Sequence, residues 1–235
     1  MNGIRHGEFL TGMVRLGRFN SYLVQEADGL TVLDTGLPGS APLILKTAAS
    51  LGLPIRRIVL THAHGDHVGS LDALHAVHPE AEVLISARES RLLAGDFSLD
   101  PDEPQTKVRG SFLNVETRPS TLLTDGDRVG SLQVVASAGH TPGHIALLDT
   151  RDGTLIAGDA FQTAGGVAVA GMIRPLFPLP AMGCWHLPTA TGSARRLLAL
   201  NPSRLAVGHG PVLENPQAAM QQAIQAAERK LSRSR

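Results

Sequence analysis

The most informative segment of the chain is Thr61-His62-Ala63-His64-Gly65-Asp66-His67. Side chains two positions apart at the end of a strand project to the same side, so His62 and His64 are predicted to face one point. Gly65 lets the chain turn tightly, which allows Asp66 and His67 to aim at that point as well. The segment is therefore predicted to present four ligand-type side chains together.

Imidazole and carboxylate groups are the ligands of zinc, iron and manganese sites in proteins. Four of them within six positions exceed what a single metal ion takes from one segment. Three further candidates each stand beside a glycine and follow or close an apolar run: His140, Asp159 and His209. Ligands at the ends of several strands converge on one edge of a sheet, so all seven residues are predicted to form one metal centre.

Around these motifs, strand patterns alternate with helix patterns, which indicates an α/β fold. Strands are predicted over residues 19–25, 30–34, 55–60, 82–85, 121–123, 128–129, 132–136, 145–148, 154–157 and 204–207. Helices are predicted over 43–51, 86–94, 189–200 and 217–231, and a further helix begins between 67 and 70 and ends just before Pro79. Ser86 is the predicted N-cap of the 86–94 helix, with Glu89 at its third helical position, and Thr189 is the predicted N-cap of the 189–200 helix. Irregular loops, expected near the active site, fill 95–120 and 161–188.

One internal similarity joins residues 28–34 to residues 152–159. Each stretch contains an Asp-Gly turn, an apolar strand and an aspartate near the strand end. Two interpretations stay open: an internal duplication of a strand-and-helix unit, or the coincidence of two common hairpin sequences.

Composition excludes several classes of function. Lys and Arg together number 21, as do Asp and Glu, and aromatic residues are only 3% of the chain. Because the charges balance and aromatic residues are few, no nucleic-acid partner is expected. No run of about 18 apolar residues occurs, so no membrane span is expected. The single cysteine, Cys184, and the lack of an apolar leader in the first eight residues favour a cytoplasmic location.

The motifs resemble those of the metallo-β-lactamase-fold hydrolases. The resemblance runs from about Asn20 to Pro211 and rests on these motifs in order: Asp34-Thr35-Gly36, His-x-His-x-Asp-His at 62–67, Gly-His-Thr-Pro-Gly-His at 139–144, Gly-Asp at 158–159 and Gly-His-Gly at 208–210. It implies an αβ/βα four-layer sandwich of two mixed β-sheets with helices on the outer faces. It also implies a single domain over residues 1–235.

The same resemblance implies a ligand set for two divalent metal ions. Zn²⁺ is the expected metal, and Fe and Mn are the alternatives. It assigns His62, His64 and His140 to the first metal, Asp66, His67 and His209 to the second, and Asp159 to both. A hydroxide shared by the two metals would attack a carbonyl. Asp66 would be the catalytic residue that orients the nucleophile and carries a proton to the leaving group. Asp34 is expected to fix the metal loop from behind.

Departures from known members narrow the expected substrate. The β-lactamases lack an aspartate equivalent to Asp159 and are exported, which disfavours β-lactams as the main substrate. Glyoxalase II enzymes carry a helical C-terminal domain, whereas the sequence after His209 is long enough for only one helix. Acyl-homoserine lactonases place a tyrosine just past the bridging aspartate, where this chain has Ala160-Phe161-Gln162. Persulfide dioxygenases use a single iron held by fewer of these residues.

The resulting expectation is a hydrolase of a small ester, lactone or thioester. The alternatives are an iron-dependent redox enzyme of the same fold, a metal-stabilised protein without catalysis, and β-lactam hydrolysis as a minor activity. An apolar substrate pocket is predicted from Phe161, Met172, Ile173, Phe177, Met182 and Trp185. The expected partner is a small molecule, and the terminal helix is predicted to cover the core or to form a homodimer contact.

Other reactive side chains are given ordinary roles. His75 and His78 are interpreted as part of a solvated helix face, and His144 as a hydrogen-bonding neighbour of the site. Cys184 has no neighbouring base in the sequence, which favours a structural thiol. His6 and His186 lack a partner motif and are assigned no role.

Overall fold

A computed structural model describes residues 3–233. Its contacts divide the chain into two compact units. The first unit holds the described residues up to Asp96 together with Ser111–Leu123, and the second holds Phe97–Gly110 and the described residues from Thr124 onward. The prediction of a single domain over 1–235 stays a prediction.

The first unit is built on a seven-stranded mixed sheet in sequential order. Its strands are β1 (Ile4–His6), β2 (Leu10–Arg15), β3 (Phe19–Glu26), β4 (Gly29–Leu33), β5 (Ile55–Val59), β6 (Glu82–Ser86) and β7 (Thr121–Leu123). Its helices are α1 (Ala41–Leu51), α2 (Gly65–Val68), α3 (Leu71–Val77) and α4 (Ala87–Leu93). The strands from β1 to β4 pair antiparallel, and those from β4 to β7 pair parallel.

The parallel pairing of β4 and β5 positions the first ligand segment. Both strands are mostly buried runs, as expected for parallel strands covered on both faces. Leu33 pairs with Val59 in register, so both strands end at the same edge of the sheet. The Asp34 motif and the Thr61–His67 segment therefore leave the sheet side by side.

The second unit contains a six-stranded mixed sheet in the order β15-β14-β11-β10-β9-β8 and a two-stranded β12-β13 hairpin. Its strands are β8 (Arg128–Val129), β9 (Leu132–Ala136), β10 (Ile145–Asp149), β11 (Thr154–Ile156), β12 (Phe161–Gln162), β13 (Ala168–Val169), β14 (Arg204–Ala206) and β15 (Leu213–Glu214). Its helices are α5 (Leu179–Gly183), α6 (Leu187–Ala199) and α7 (Gln217–Arg233). Both sheets are mixed, in agreement with the predicted α/β class.

Strand direction brings three ligand loops of the second unit to one edge. β9 and β11 each pair antiparallel with β10, and β14 pairs parallel with β11, so β9, β11 and β14 run the same way. Ile156 and Ala206 are partners in the parallel ladder. Asp159 and His209 each lie three residues beyond these partners, and His140 follows the end of β9. The sequence thus delivers all three side chains to the carboxyl ends of strands that run in the same direction.

The structure corrects two details of the predictions. The segment 161–188 is not wholly irregular, because it contains the β12-β13 hairpin and the short helix α5. The N-cap of α6 is His186 and not Thr189, because the His186 side chain accepts a hydrogen bond from the Thr189 backbone N–H. The Ser86 cap of α4 is confirmed, with the Ser86 hydroxyl accepting from Glu89 N at 3.0 Å.

The internal similarity extends to backbone geometry. β3 and β4 form an antiparallel hairpin and β4 then pairs parallel with β5, while β10, β11 and β14 repeat that order. When residues 28–34 are laid on residues 152–158, Asp34 falls on Gly158. Both have a left-handed backbone, with φ of 57° and 47° respectively. Each strand is therefore followed by the same sharp change of direction.

Helix α7 packs through one face into the core of the second unit. Met220, Ala223, Ile224 and Ala227 are buried there. This confirms the predicted core contact, and the homodimer stays a prediction. No helix within the described part of the chain has the length and apolar character that a bilayer-spanning helix needs. The cytoplasmic location stays a prediction.

Candidate metal centre

The ligand segment of the first unit is held in an extended conformation by alternate backbone N–H groups. Thr61 N donates to Asp34 Oδ1 at 2.8 Å, Ala63 N donates to Glu89 Oε1 at 3.0 Å, and Gly65 N donates to Ser111 O at 2.7 Å. Because extended backbone has a period of two, the intervening side chains share one side. His62 and His64 are those side chains, as the sequence predicts.

Hydrogen bonds fix which nitrogen of His62 is available. The Thr61 hydroxyl donates to Asp34 Oδ2 at 2.8 Å, so its oxygen accepts from His62 Nδ1, which lies 3.1 Å away. The proton is then on Nδ1, and Nε2 carries the lone pair that a metal needs. His62 Nε2 lies 3.1 Å from His64 Nδ1. Two nitrogens about 2.05 Å from a tetrahedral zinc ion are about 3.3 Å apart, so this pair fits such an ion.

His67 is oriented in the same way by Asp34. Its Nδ1 lies 2.8 Å from Asp34 Oδ2, an arrangement in which Nδ1–H donates and Nε2 is the ligand nitrogen. Its ring centroid lies 4.0 Å from that of His62. Asp66 Oδ2 lies 3.9 Å from His67 Nε2. The expected contact of Asp34 with the metal loop is therefore confirmed, and it reaches both Thr61 and His67.

Three buried side chains meet in the second unit. Asp159 Oδ2 lies 3.4 Å from His140 Nε2 and 3.2 Å from His209 Nε2. All three side chains are at most 3% exposed. Divalent metals bind to carboxylate and imidazole groups of this kind. Burial of a charged group is costly unless it is paired or binds a metal ion. Both units thus carry buried His and Asp side chains of the types that bind divalent metals.

The loop that carries His140 is fixed by the residues before and within α6. Trp185 N donates to His140 O at 2.8 Å, and His186 N donates to Gly139 O at 2.9 Å. Gly139 has φ of 137°, and a Cβ there would lie 2.3 Å from Ala190 Cα and N. Only glycine fits this position, because the backbone of α6 passes directly against it.

His209 is fixed by the β12 segment and by an aromatic ring. Its carbonyl accepts from Thr163 N at 2.9 Å, and Thr163 Oγ1 donates to Pro211 O at 2.6 Å. The Phe177 ring centroid lies 5.2 Å from that of His209. The predicted loop region therefore contacts a candidate ligand directly.

His144 serves the site as a hydrogen-bonding neighbour, as predicted. Its Nε2 accepts from Asp159 N at 3.0 Å, and its Nδ1 lies 2.8 Å from Ser137 Oγ. Acceptance at Nε2 requires the neutral imidazole with the proton on Nδ1, which then donates to Ser137. This pair of bonds fixes the backbone of Asp159 and so directs its carboxylate.

Glu89 and His186 make structural contacts that the sequence does not indicate. Glu89 is fully buried, and its carboxylate accepts from the backbone between His62 and His64. Its local sequence indicates only a helix start. His186, which has no role predicted from the sequence, caps α6, and burial lowers the pKa of its imidazole. The sequence does not indicate the Glu89 contact, because it joins positions far apart in the chain. It does not indicate the His186 cap, because histidine is an uncommon cap residue.

The remaining candidates take ordinary roles. Within residues 3–233, neither His75 nor His78 belongs to a group of three ligand-type side chains close enough to hold a metal. His78 Nδ1 lies 3.5 Å from Glu80 Oε1 at the surface. Cys184 is buried, and desolvation raises the pKa of its thiol to about 12. A thiol of that pKa is no nucleophile at neutral pH.

A family model described as "Metallo-beta-lactamase superfamily" matches residues 15–209. The chain therefore belongs to the metallo-β-lactamase superfamily. It is 50% identical over 221 residues to the uncharacterized protein YobT of Bacillus subtilis (strain 168), covering 94% of this chain and 95% of that one. It is 30% identical over 212 residues to the probable metallo-hydrolase YflN of the same organism, covering 81% and 80%.

A third relative is named for its reaction. The chain is 32% identical over 148 residues to a hydroxyacylglutathione hydrolase of Aeromonas hydrophila, covering 61% of this chain and 47% of that enzyme. Among solved structures, a metallo-β-lactamase from Pontibacter korlensis matches with a TM-score of 0.71 at 17% identity, covering 97% and 98% of the two chains. The chain is a metal-dependent hydrolase with the metallo-β-lactamase fold, which confirms the predicted fold and enzyme class.

Proposed function

We propose that the two clusters act together as a dinuclear metal centre that hydrolyses a small ester, lactone or thioester. The first metal would be held by His62, His64 and His140, the second by Asp66, His67 and His209, with Asp159 shared by both. One observation carries the proposal: Oδ2 of Asp159 lies within 3.4 Å of a nitrogen of His140 and of His209. One of these imidazoles is assigned to each metal, so the shared oxygen suits a bridging ligand.

The donor set suits zinc. All seven candidates are imidazoles or carboxylates, and His62 and His67 are each held in the tautomer that leaves Nε2 for a metal. Iron and manganese accept the same ligands and stay as alternatives. When bound, such ions lower the pKa of water towards neutrality and polarise a carbonyl oxygen.

Asp66 is the residue proposed to move the proton. Its side chain is 25% exposed, whereas those of His67, His140, Asp159 and His209 are at most 3% exposed. A carboxylate that faces solvent can exchange protons with it and still reach the reacting groups. We assign Asp66 to orient the attacking water through one carboxylate oxygen and to deliver its proton to the leaving group.

The substrate proposal draws on the relatives and on one apolar segment. A hydroxyacylglutathione hydrolase among the relatives favours a thioester or a related acyl compound. The segment from Met172 to Trp185 exposes Ile173, Leu176, Leu179 and Met182 to solvent. Phe177 of this segment packs on the His209 ring. An apolar acyl or alkyl group next to the scissile bond would cover these side chains.

The six predicted pocket residues differ in burial: Phe161, Phe177 and Trp185 are buried, Met172 is partly buried, and Ile173 and Met182 are exposed. Phe161 is fully buried in the core of the second unit, so it is a packing residue. Trp185 is also buried, and its indole Nε1 donates to Thr106 O at 2.8 Å. Ile173 and Met182 are exposed and stay in the proposed substrate surface together with Leu176 and Leu179.

The proposal is tested by metal analysis followed by a substrate panel. Protein purified without chelators is expected to contain two zinc ions per chain by elemental analysis, and Asp159→Asn is expected to contain one or fewer. The panel contains lactones, thioesters, carboxylic esters, phosphodiesters and β-lactams. Asp66→Asn is expected to lower kcat on the best substrate by about 10²- to 10⁴-fold.

His75→Ala is the matched control, because it changes a half-buried imidazole of α3 outside the proposed site and is expected to leave metal content and turnover unchanged. A metal content of one ion per chain with full activity would contradict the dinuclear proposal. Iron as the native metal, with oxygen consumption in place of hydrolysis, would replace the hydrolase proposal by the redox alternative.

A further inference from the structure

Glu89 occupies a position that is unusual for its residue type. It is the third residue of α4, where the Ser86 hydroxyl accepts from its backbone N–H, and it is fully buried. Glutamate is almost never fully buried unless its carboxylate has a specific partner, because removing it from water is costly. The bond to the Ser86 hydroxyl engages the Glu89 backbone, so it does not account for a buried carboxylate. The buried carboxylate therefore needs partners of its own.

One partner of the Glu89 carboxylate is the peptide between two candidate ligands. Glu89 Oε1 accepts from Ala63 N at 3.0 Å. Three acceptors bind alternate N–H groups of the ligand segment, and Glu89 Oε1 is the middle one. Thr61 N on one side donates to Asp34 Oδ1, and Gly65 N on the other side donates to Ser111 O. The peptide plane at Ala63 sets the relative direction of the side chains on either side. Of the three anchors, the Glu89 bond alone acts at the midpoint of the His62–His64 pair.

We infer that Glu89 is a positioning residue, which holds His62 and His64 at metal-binding separation through its hydrogen bond from Ala63 N. Within residues 3–233, Glu89 belongs to no group of side chains close enough to hold a metal, so it acts through the ligands. The inference rests on the proposed metal centre and adds to it a residue that holds the His62 Nε2 to His64 Nδ1 distance at 3.1 Å. Loss of such an outer partner lowers metal affinity by about 10- to 100-fold.

The test measures zinc affinity and the stability of the metal-free protein in parallel. Zinc dissociation constants are obtained by competition with a chromophoric chelator, and melting temperatures are measured after metal removal. Glu89→Ala removes the acceptor, and Glu89→Gln keeps a carbonyl oxygen in its place. Two controls destabilise the same helix without touching Ala63 N: Ser86→Ala removes the cap, and Leu92→Ala removes a buried side chain of α4.

We expect Glu89→Ala to weaken zinc binding by about 10-fold or more, while Ser86→Ala and Leu92→Ala change it by less than about 3-fold at equal or greater loss of melting temperature. Glu89→Gln is expected to restore most of the affinity. The absorption spectrum of the cobalt(II)-substituted protein should change in Glu89→Ala and stay the same in Ser86→Ala, because it reports ligand geometry.

Two results would overturn the inference. Either Glu89→Ala binds zinc as tightly as the controls of similar stability, or Glu89→Gln binds as weakly as Glu89→Ala. Failure of the proposed function gives a different pattern, because the hydrolase proposal fails on turnover or on the native metal, whereas the zinc affinities of wild type and variants still decide the role of Glu89.

Discussion

Nδ1 of His67 lies 2.8 Å from Oδ2 of Asp34, although the two residues are separated by an entire helix and strand. The contact exists because β4 and β5 are parallel neighbours that end in register. Asp34 accepts from Thr61 with the same carboxylate, so one side chain orients both ends of the ligand segment.

Asp34→Asn tests this double contact. Asparagine tolerates the left-handed backbone of position 34, where φ is 57°, and keeps an acceptor for Thr61 N. Its amide NH₂ would face His67 Nδ1, however, and would favour the tautomer that places the proton on Nε2. We expect zinc affinity, measured by chelator competition, to fall by about 10- to 100-fold. Asp28→Asn, which changes an exposed carboxylate paired with Arg57, is the control. Unchanged affinity of Asp34→Asn would refute the assigned tautomer.

Gly139→Ala tests the contact between the His140 loop and α6. The new Cβ would lie 2.3 Å from backbone atoms of Ala190 at a φ of 137°. We expect a loss of about 3 kcal/mol or more in the free energy of unfolding, because strain and overlap add. Gly126→Ala is the matched control, with a φ of 89° and no atom within 4 Å of the new Cβ. Its expected loss is about 1 kcal/mol. Equal losses in denaturant titrations would show that α6 can move away at no cost.

His186 predicts a dependence of stability on pH. Burial lowers the pKa of its imidazole from the ordinary value of 6.5, and the neutral ring caps α6. Its contribution is therefore present above pH 6.5 and is lost as the pH falls through the lowered pKa of the folded state. Asparagine caps helices without titrating. With metal removed by chelator, we expect the melting temperature of wild type to fall more than that of His186→Asn between about pH 7.5 and 5. Parallel curves would exclude the cap as the titrating contact.

The Cys184 thiol is expected to be inert in the folded protein. Desolvation raises its pKa to about 12, so only about one molecule in 10⁴ carries the thiolate at pH 8. A chromogenic disulfide reagent should modify no thiol in native protein at that pH and one thiol per chain in denaturant. Cys184→Ser gives the blank. Rapid reaction of the native protein would mean that this part of the second unit opens readily.

The sequence predicts the strands of both sheets well where apolar runs are bounded by turns. The strands at 121–123, 128–129 and 132–136 are found as predicted. The ligand motifs are equally evident in the sequence, because histidines and aspartates grouped beside glycines at strand ends are rarely needed for packing. Fold class and the position of each motif relative to its strand therefore follow from local pattern alone.

What the sequence does not predict depends on partners distant along the chain. Glu89 and Ala63 are 26 positions apart, and no local pattern of either residue indicates their bond. The β12-β13 hairpin has only two residues in each strand, too few for a period of two to appear. The His186 cap escapes prediction because Thr189 is a common cap residue and histidine is not.

The alternate anchoring of Thr61, Ala63 and Gly65 has a consequence for the length of the motif. In extended backbone, adding or removing a single residue exchanges the two sides of the chain. A one-residue insertion between Thr61 and Gly65 would turn one imidazole towards the anchoring side and one N–H group towards the metal side. Spacing is thus as much a requirement of this centre as the identity of its ligands, and a two-residue change is the smallest that keeps every group on its own side.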